Sequence, residues 1–247
     1  LFLSLSPSVS TQYPVSRVSW HDAIVWCNAL TEYYNAAAGK NILDCVYYTD
    51  KAYTKLLRVS IPDGRITASY KGSQDCPYIK ASIQGNTDIK KCSAKGFRLP
   101  TSDEWEYAAR YRGEDSSNTV DGFRDPYFTK GDSASGATGS WKDDRASKAV
   151  AVFTYVVGVN GIAVHGKPTQ TAKVKSKKSN TLGLYDMSGN IEEWCFDWNE
   201  WGTKYRVLCG GDFSLSAFGT VIGDMGSGVL ISPYSANPIA GFRVSRS

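Results

Sequence analysis

The chain has 247 residues, a net charge of +4, 42% hydrophobic and 13% aromatic residues. That length suits one large domain or two small ones, with enough apolar material for a sizeable core. The modest charge argues against nucleic acid as a partner: the lysine-rich run from 167 to 178 has no recognition helix and no interleaved aromatics, and reads as a solvated loop. In chain order, the opening LFLSLS is too short to span a bilayer and reads as a first strand. A leader or lipid-bearing cysteine upstream would lie outside these residues. From Ser19 to Asn35, Ala23, Cys27, Leu30 and Tyr34 recur at helical spacing, and Ser19 with Asp22 three residues on is a capping pattern, so a helix is expected. His21, at its start, reads as a packing or solvent-facing residue. The region from 39 to 96 is irregular, with a Pro62-Asp63-Gly64 turn between the strand-like runs CVYYT and RITASY.

The clearest local signal is LPTSDEWEYAARYRG, 99–113. Thr101 and Glu104 form a capping box, Trp105, Ala108, Ala109 and Arg112 make an inward stripe, and Gly113 suits the stop. Acidic residues crowd the first turn and arginines the last, as the helix dipole favours. Gly, Ser and Asp then dominate through Arg145, followed by AVAVFTYVVGV, 149–159, which predicts a buried strand. His165 falls in a Gly/Pro stretch and is expected in a solvated loop. Gly189-Asn190 is a turn signal, and Trp194 and Trp198 share a face of either a helical turn or a strand. RVLCGGDF and GFRVSRS are strand-like. Two main helices, short antiparallel strands and much loop predict an α+β chain, residues 1–247 as one domain. The six cysteines show no CxxC pair, so a zinc site is not expected; Cys27 reads as a small buried hydrophobe, and disulfide pairing stays open.

The stretch from Cys209 to Ala240 stands apart. It holds only two charges, Asp212 and Asp224, and no Lys, Arg, His, Glu, Gln or Trp, in a chain that is 21% charged. A buried core segment would also lose charge, but it would alternate or run apolar. Here serines, glycines and Asn237 interrupt the apolar residues with neither period, as in a surface of loops and short strands.

Five ordered pieces carry a wider resemblance: VSWHDAIVWCN, FRLPTSDEWEYAAR, NTLGLYDMSGNIEEW, RVLCGGDF and GFRV. Together they resemble the formylglycine-generating-enzyme (sulfatase-modifying factor) family, from about residue 14 to 246. The resemblance implies a large, loop-rich variant of the C-type lectin fold, with an insert from 40 to 92 longer than the family's usual link. Fold alone does not fix function. The family's enzymes oxidise a substrate cysteine with two copper-binding cysteines lying between the Gly-Gly turn and the last GFRV; this chain has none there after Gly210. Cys209 stands where the family usually has Arg and has no near partner in sequence. Iron-dependent relatives use a histidine triad, and only His21 and His165 exist here. The resemblance therefore implies no catalytic residues and no enzyme. It also implies loop calcium in some members, for which Asp186, Asn190 and Glu193 offer oxygens; no metal or cofactor is assigned.

Members of the same fold subtype serve as variable proteins of diversity-generating retroelements. There, adenines of a template repeat are mutated, and AAC codons become NNC codons that cannot encode Met, Trp, Lys, Gln or Glu. The 209–240 stretch lacks four of these, with Met225 as a fixed template position. The resemblance thus implies a surface-displayed, lipid-anchored binder at the cell surface or outer membrane; nothing in the sequence reads as an oligomerisation helix, so a monomer is expected. Its ligand would be a macromolecule, protein rather than nucleic acid, met by Cys209, Asp212, Phe213, Ser214, Leu215, Ser216, Phe218, Gly219, Asp224, Ser227, Val229, Leu230, Ile231, Ser232, Tyr234 and Ser235. The alternative is an oxidase of the family's type or a catalytically silent relative.

Overall fold

The computed structural model describes residues 12–60, 77–113, 128–157, 163–165, 170–199, 205–224 and 230–246. The expected first strand, the Pro62-Asp63-Gly64 turn and RITASY, Cys76, Met225, Ser227 and Val229 lie outside them.

Helix α1 spans Trp20–Ala37. Ser19 Oγ accepts the Asp22 N–H at 3.1 Å and the Asp22 carboxylate accepts the Ser19 N–H at 2.8 Å, so two otherwise orphaned donors are satisfied. Its buried face carries Trp20, His21, Ala23, Ile24, Cys27, Asn28 and Thr31. Polar residues on that face act as fasteners. Asn28 donates to the carbonyls of Tyr47 and Leu57 at 2.8 and 3.0 Å and accepts from Val46 and Tyr47 N–H at 3.2 Å, fixing strand β1 (Tyr47–Tyr48) against the helix. Thr31 Oγ1 accepts the Phe97 N–H at 2.9 Å and so positions β3 (Phe97–Arg98). Strand β1 pairs with β2 (Tyr78–Ile79) and β3 with the final β9 (Ser245–Arg246), both antiparallel.

Helix α2, Ser102–Arg110, has the expected capping box at Thr101 and Glu104, and Arg98 grips the Glu104 carboxylate with two bonds of 2.7 Å. It ends before Gly113, with Tyr111 turning extended. Thr101→Ala should cost about 1 kcal/mol, read by chemical denaturation, because the Glu104 N–H loses its acceptor. A third helix, α3 (Asp144–Val150), was not expected: Asp143 Oδ1 caps the Ala146 N–H at 2.9 Å and Ala146, Ser147 and Val150 turn inward. The run predicted as one strand over 149–159 thus starts as helix, and only Tyr155–Val157 (β4) is strand. It pairs antiparallel with β5 (Ala163–His165), so His165 lies in a strand, not the expected loop.

The centre is a three-stranded sheet in the order β7-β6-β8, from β6 (Glu192–Trp198), β7 (Arg206–Cys209) and β8 (Ala240–Phe242). β6 and β7 are antiparallel, but β6 and β8 are parallel, a departure from the all-antiparallel expectation. Residues 192–196 are all buried, because both faces of β6 are covered. Two indoles sew it to α1: Trp20 Nε1 donates to the Cys195 carbonyl and Trp194 Nε1 to that of Val18, each at 3.0 Å. The register shifts between Trp194 and Trp198. Trp198 then stacks on the Arg206 guanidinium at 3.4 Å, with Trp20 at 3.8 Å. One apolar cluster surrounds Trp20, Trp194, Leu99 and Phe242; a second joins Trp105, Met187, Cys195, Cys209 and Ile222; a third joins Ala134, Val150, Phe153 and Ala217.

Candidate binding surface

The 209–240 segment leaves the central sheet at Cys209 and returns to it at Ala240. Its first bend requires glycine. Gly211 has φ +66°, and a Cβ there would lie 2.1 Å from the Gly219 carbonyl oxygen. The segment is then fastened to the frame at intervals. Asp212 Oδ1 accepts the Ser214 N–H at 2.6 Å, closing a tight turn. Phe213 N–H donates to the Asn190 carbonyl at 3.2 Å, and Leu215 C=O accepts from Thr154 N–H at 2.9 Å. Ala217 is buried in the third cluster, and Ile222 in the second. Ile222 and Gly223 N–H donate to Ser133 and Gly131 carbonyls at 3.0 and 2.9 Å. Further on, Ile231 enters the main core and the Pro233 carbonyl accepts the Trp20 N–H at 3.1 Å.

Between those anchors the residues face outward. Ser214, Phe218 and Leu230 are exposed; Phe213, Leu215, Ser216, Gly219, Asp224, Ser232, Tyr234 and Ser235 are half-buried. Phe218, 53% exposed, sits edge-on to Trp141 at 5.4 Å, and the Lys142 ammonium lies 5.6 Å from that indole. Trp141 is therefore part of this surface although it lies far outside the 209–240 stretch. No periodic signal in the surrounding Gly/Ser/Asp sequence marks it.

Three expected contact residues are corrected by burial. Cys209, Asp212 and Ile231 are at most 4% exposed and support the surface from beneath rather than form it. Tyr234 is also less free than expected: its ring stacks on buried His21 at 4.7 Å. His21 packs edge-on against Trp20 on its other side, as a packing residue.

Cys209 has a spatial neighbour that sequence distance hid. The Cys195 thiol, on β6, donates to its sulfur at 3.5 Å. Both are buried, and desolvation, then the Cys209 contact, pushes the Cys195 thiol well above its usual range. Cys27 is fully buried and likewise pushed up by desolvation. Thiols in such surroundings are poor nucleophiles, since the thiolate is the reactive form.

Most of the oxygens considered for calcium are spent elsewhere, although Asp186 Oδ1 is buried without a hydrogen-bond partner. Asn190 exchanges two hydrogen bonds with Ala172, and Asp186 Oδ2 accepts the Lys175 N–H at 2.8 Å. Both Glu193 oxygens accept from Arg243 at 2.8 Å, and one also accepts Trp105 Nε1 at 2.7 Å. Among these side chains only Asp186 Oδ1 is left over, one oxygen where calcium takes about six to eight.

A model of the sulfatase-modifying factor enzyme 1-like domain matches residues 6–247. The chain belongs to that family. Among curated relatives, it is 32% identical over 190 residues to "Chaperone protein LppX" of Paenibacillus barcinonensis, covering 75% of this chain and 52% of that protein. It is 36% identical over 127 residues to the formylglycine-generating enzyme of Streptomyces coelicolor, covering 51% of this chain and 34% of the enzyme. The chain thus spans about half or less of these relatives' lengths. Among solved structures, Treponema denticola variable protein 1 superposes with a TM-score of 0.63 at 27% identity, covering 98% of this chain and 74% of that one. CarF superposes with a TM-score of 0.60 at 27% identity, covering 97% and 69%. The α+β family fold and the likeness to a variable protein expected from the motifs are therefore shown.

Proposed function

We propose that this chain is a surface-displayed ligand-binding protein, not an enzyme, whose 209–240 segment is diversified by a retroelement and meets a protein partner. The observation that carries the reading is the alternation within the segment. Buried fasteners at Asp212, Ala217, Ile222 and Ile231 hold it, while Ser214, Leu215, Ser216, Phe218 and Leu230 between them, and Ser232 just after the last, reach solvent. A pre-ordered frame spares the entropy of loop ordering on binding, and outward residues can change at small cost in stability. Phe218 beside Trp141 is the apolar anchor, of the kind that dominates protein interfaces. The low charge of the segment disfavours nucleic acid. The likeness to a Treponema variable protein supports the reading. The buried Cys195 and Cys209 thiols support a non-catalytic role. The proposed setting is the cell surface, with any lipid anchor outside the residues given, and the proposed state is a monomer. No described helix is long and apolar enough to cross a membrane.

The name of the Paenibacillus relative makes a chaperone-like role the second reading, also dependent on a partner-binding surface. A displayed library randomising Ser214, Leu215, Ser216, Phe218, Leu230 and Ser232 tests the first. Most members should fold, each substitution costing about 0.5 kcal/mol or less, and selection against unrelated proteins should yield binders. In a selected binder that retains Phe218, Phe218→Ala should weaken binding at least about tenfold while leaving Tm nearly unchanged. A library that mostly unfolds would show the segment to be core and refute the proposal.

A further inference from the structure

Cations from two separate parts of the chain meet at the carboxyl end of α3. The loop that carries Lys173, Lys175, Lys177 and Lys178 docks there: Lys178 N–H donates to the Ala149 carbonyl at 3.0 Å, and Lys177 Nζ donates to that of Lys148 at 2.8 Å. Lys177 is thereby spent on a carbonyl that the helix end leaves unpaired. The loop is held in one shape by Ser176 N–H on the Lys173 carbonyl at 3.2 Å and by Lys175 N–H on the buried Asp186 carboxylate at 2.8 Å. Arg145, Lys148, Lys173, Lys175 and Lys178 are exposed. Lys148 pairs with Asp144, and the Lys175 ammonium lies 5.5 Å from the Tyr185 ring. Arg145, Lys173 and Lys178 make no ion pair among the described residues. The acidic groups beside them on α3 are Asp144 and the cap Asp143, whose Oδ1 is occupied by the Ala146 N–H. The chain also enters the described structure at this place. The Gln12 carbonyl accepts Val174 N–H at 2.7 Å, inside the same loop, so any segment upstream of Gln12 is tethered beside these cations.

We propose that this patch rests on an anionic lipid surface and sets how the protein sits on its membrane. Each Lys or Arg within a Debye length of an anionic bilayer strengthens binding about fivefold, and a cluster of several is the composition that recognises anionic headgroups. A single acyl chain binds a membrane only marginally, and a basic patch is the usual second signal. In one respect this rests on the surface-anchored reading given above: an anchor upstream of Gln12 would hold the loop against the bilayer. The loop from 170 to 178 carries no aromatic residue to stack on bases and presents no helix to a groove, which favours a headgroup layer over nucleic acid. A contact made by charge alone is reversible and weakens with salt.

The test is co-sedimentation of the full chain with vesicles of phosphatidylcholine alone and with vesicles that also hold about 30% phosphatidylglycerol. Binding is expected to the anionic vesicles only, at about 50 mM salt, and should be lost by about 500 mM. Arg145→Gln, Lys173→Gln and Lys178→Gln together should weaken it about a hundredfold and leave Tm nearly unchanged. Lys51→Gln, Lys55→Gln and Lys95→Gln remove the same charge at exposed positions outside the patch, and should weaken it less than about tenfold. Absence of vesicle binding would overturn the assignment, as would equal loss in the two triple variants, which would leave only net charge. Binding to phosphatidylcholine alone would overturn it too. So would binding to a DNA duplex that the patch variant loses while vesicles are ignored. The result is separate from the displayed surface: vesicles left unbound do not touch the library test, and a library that unfolds does not touch the lipid contact.

Discussion

Replacing Glu193 with alanine is expected to lower the unfolding free energy by about 3–5 kcal/mol, the scale for breaking a buried ion pair from one side. Glu193 is 1% exposed on β6. Its carboxylate accepts from Arg243 Nε and Nη2 at 2.8 Å and from Trp105 Nε1 at 2.7 Å. Alanine would leave a guanidinium that is only 13% exposed without its bidentate carboxylate, keeping the Tyr185 carbonyl at 3.0 Å and the charge of Asp186, and would strip the Trp105 indole of that acceptor. The group joins β6, α2 and the link between β8 and β9, so its loss also loosens the carboxyl-side root of the displayed segment. Denaturant unfolding measures the cost. Glu193→Leu combined with Arg243→Met should cost less than Glu193→Ala alone, because neither member of the pair is then left buried without the other. Equal or greater loss in the double variant would mean that the residues matter for shape and not for charge.

Stability should fall as pH rises through the neutral range, and Glu192 is the cause. Burial, then repulsion from Asp212 and Asp224, pushes its carboxyl up to about 8. In the unfolded chain it titrates near 4.5. Between those values the folded state holds a proton that the unfolded state has released, so the slope of unfolding free energy with pH is negative. Its contribution is fully present below about 4.5 and is lost as pH passes 8, on the order of a few kcal/mol in total. Denaturation at pH 5, 6, 7 and 8 reads this directly. Glu192→Gln should flatten the trend and be the more stable form at pH 8. A flat wild-type profile, or a trend that survives the substitution, would remove Glu192 as its source.

The capped helices were legible because their signals are local. Ser19 with Asp22 and Thr101 with Glu104 state their hydrogen bonds within four residues. Helix α3 was missed because Ala149 and Val150 run on into apolar strand residues, and the Asp143 cap is hidden in a Gly/Ser/Asp-rich stretch. The parallel β6–β8 pairing joins residues about fifty apart, and no short-range pattern encodes it. The binding segment was located by composition, but composition cannot say which residues point outward. Asp212 and Ile231 looked like neighbours of Ser214 and Leu230 in kind, and only the fold turns them inward. Trp141, the Cys195–Cys209 contact and the Glu192–Asp212 arrangement all depend on distant chain segments meeting.

The most direct test of the central claim is to sequence the 3′ end of the gene and its flanking DNA from several related isolates. The account predicts differences confined to codons of the 209–240 segment, concentrated at outward residues such as Ser214, Leu215, Phe218 and Leu230. It also predicts matching adenines in a nearby template repeat. A segment that is invariant across isolates, with no template repeat beside it, would contradict the account and leave a family member whose uncharged stretch is ordinary packing.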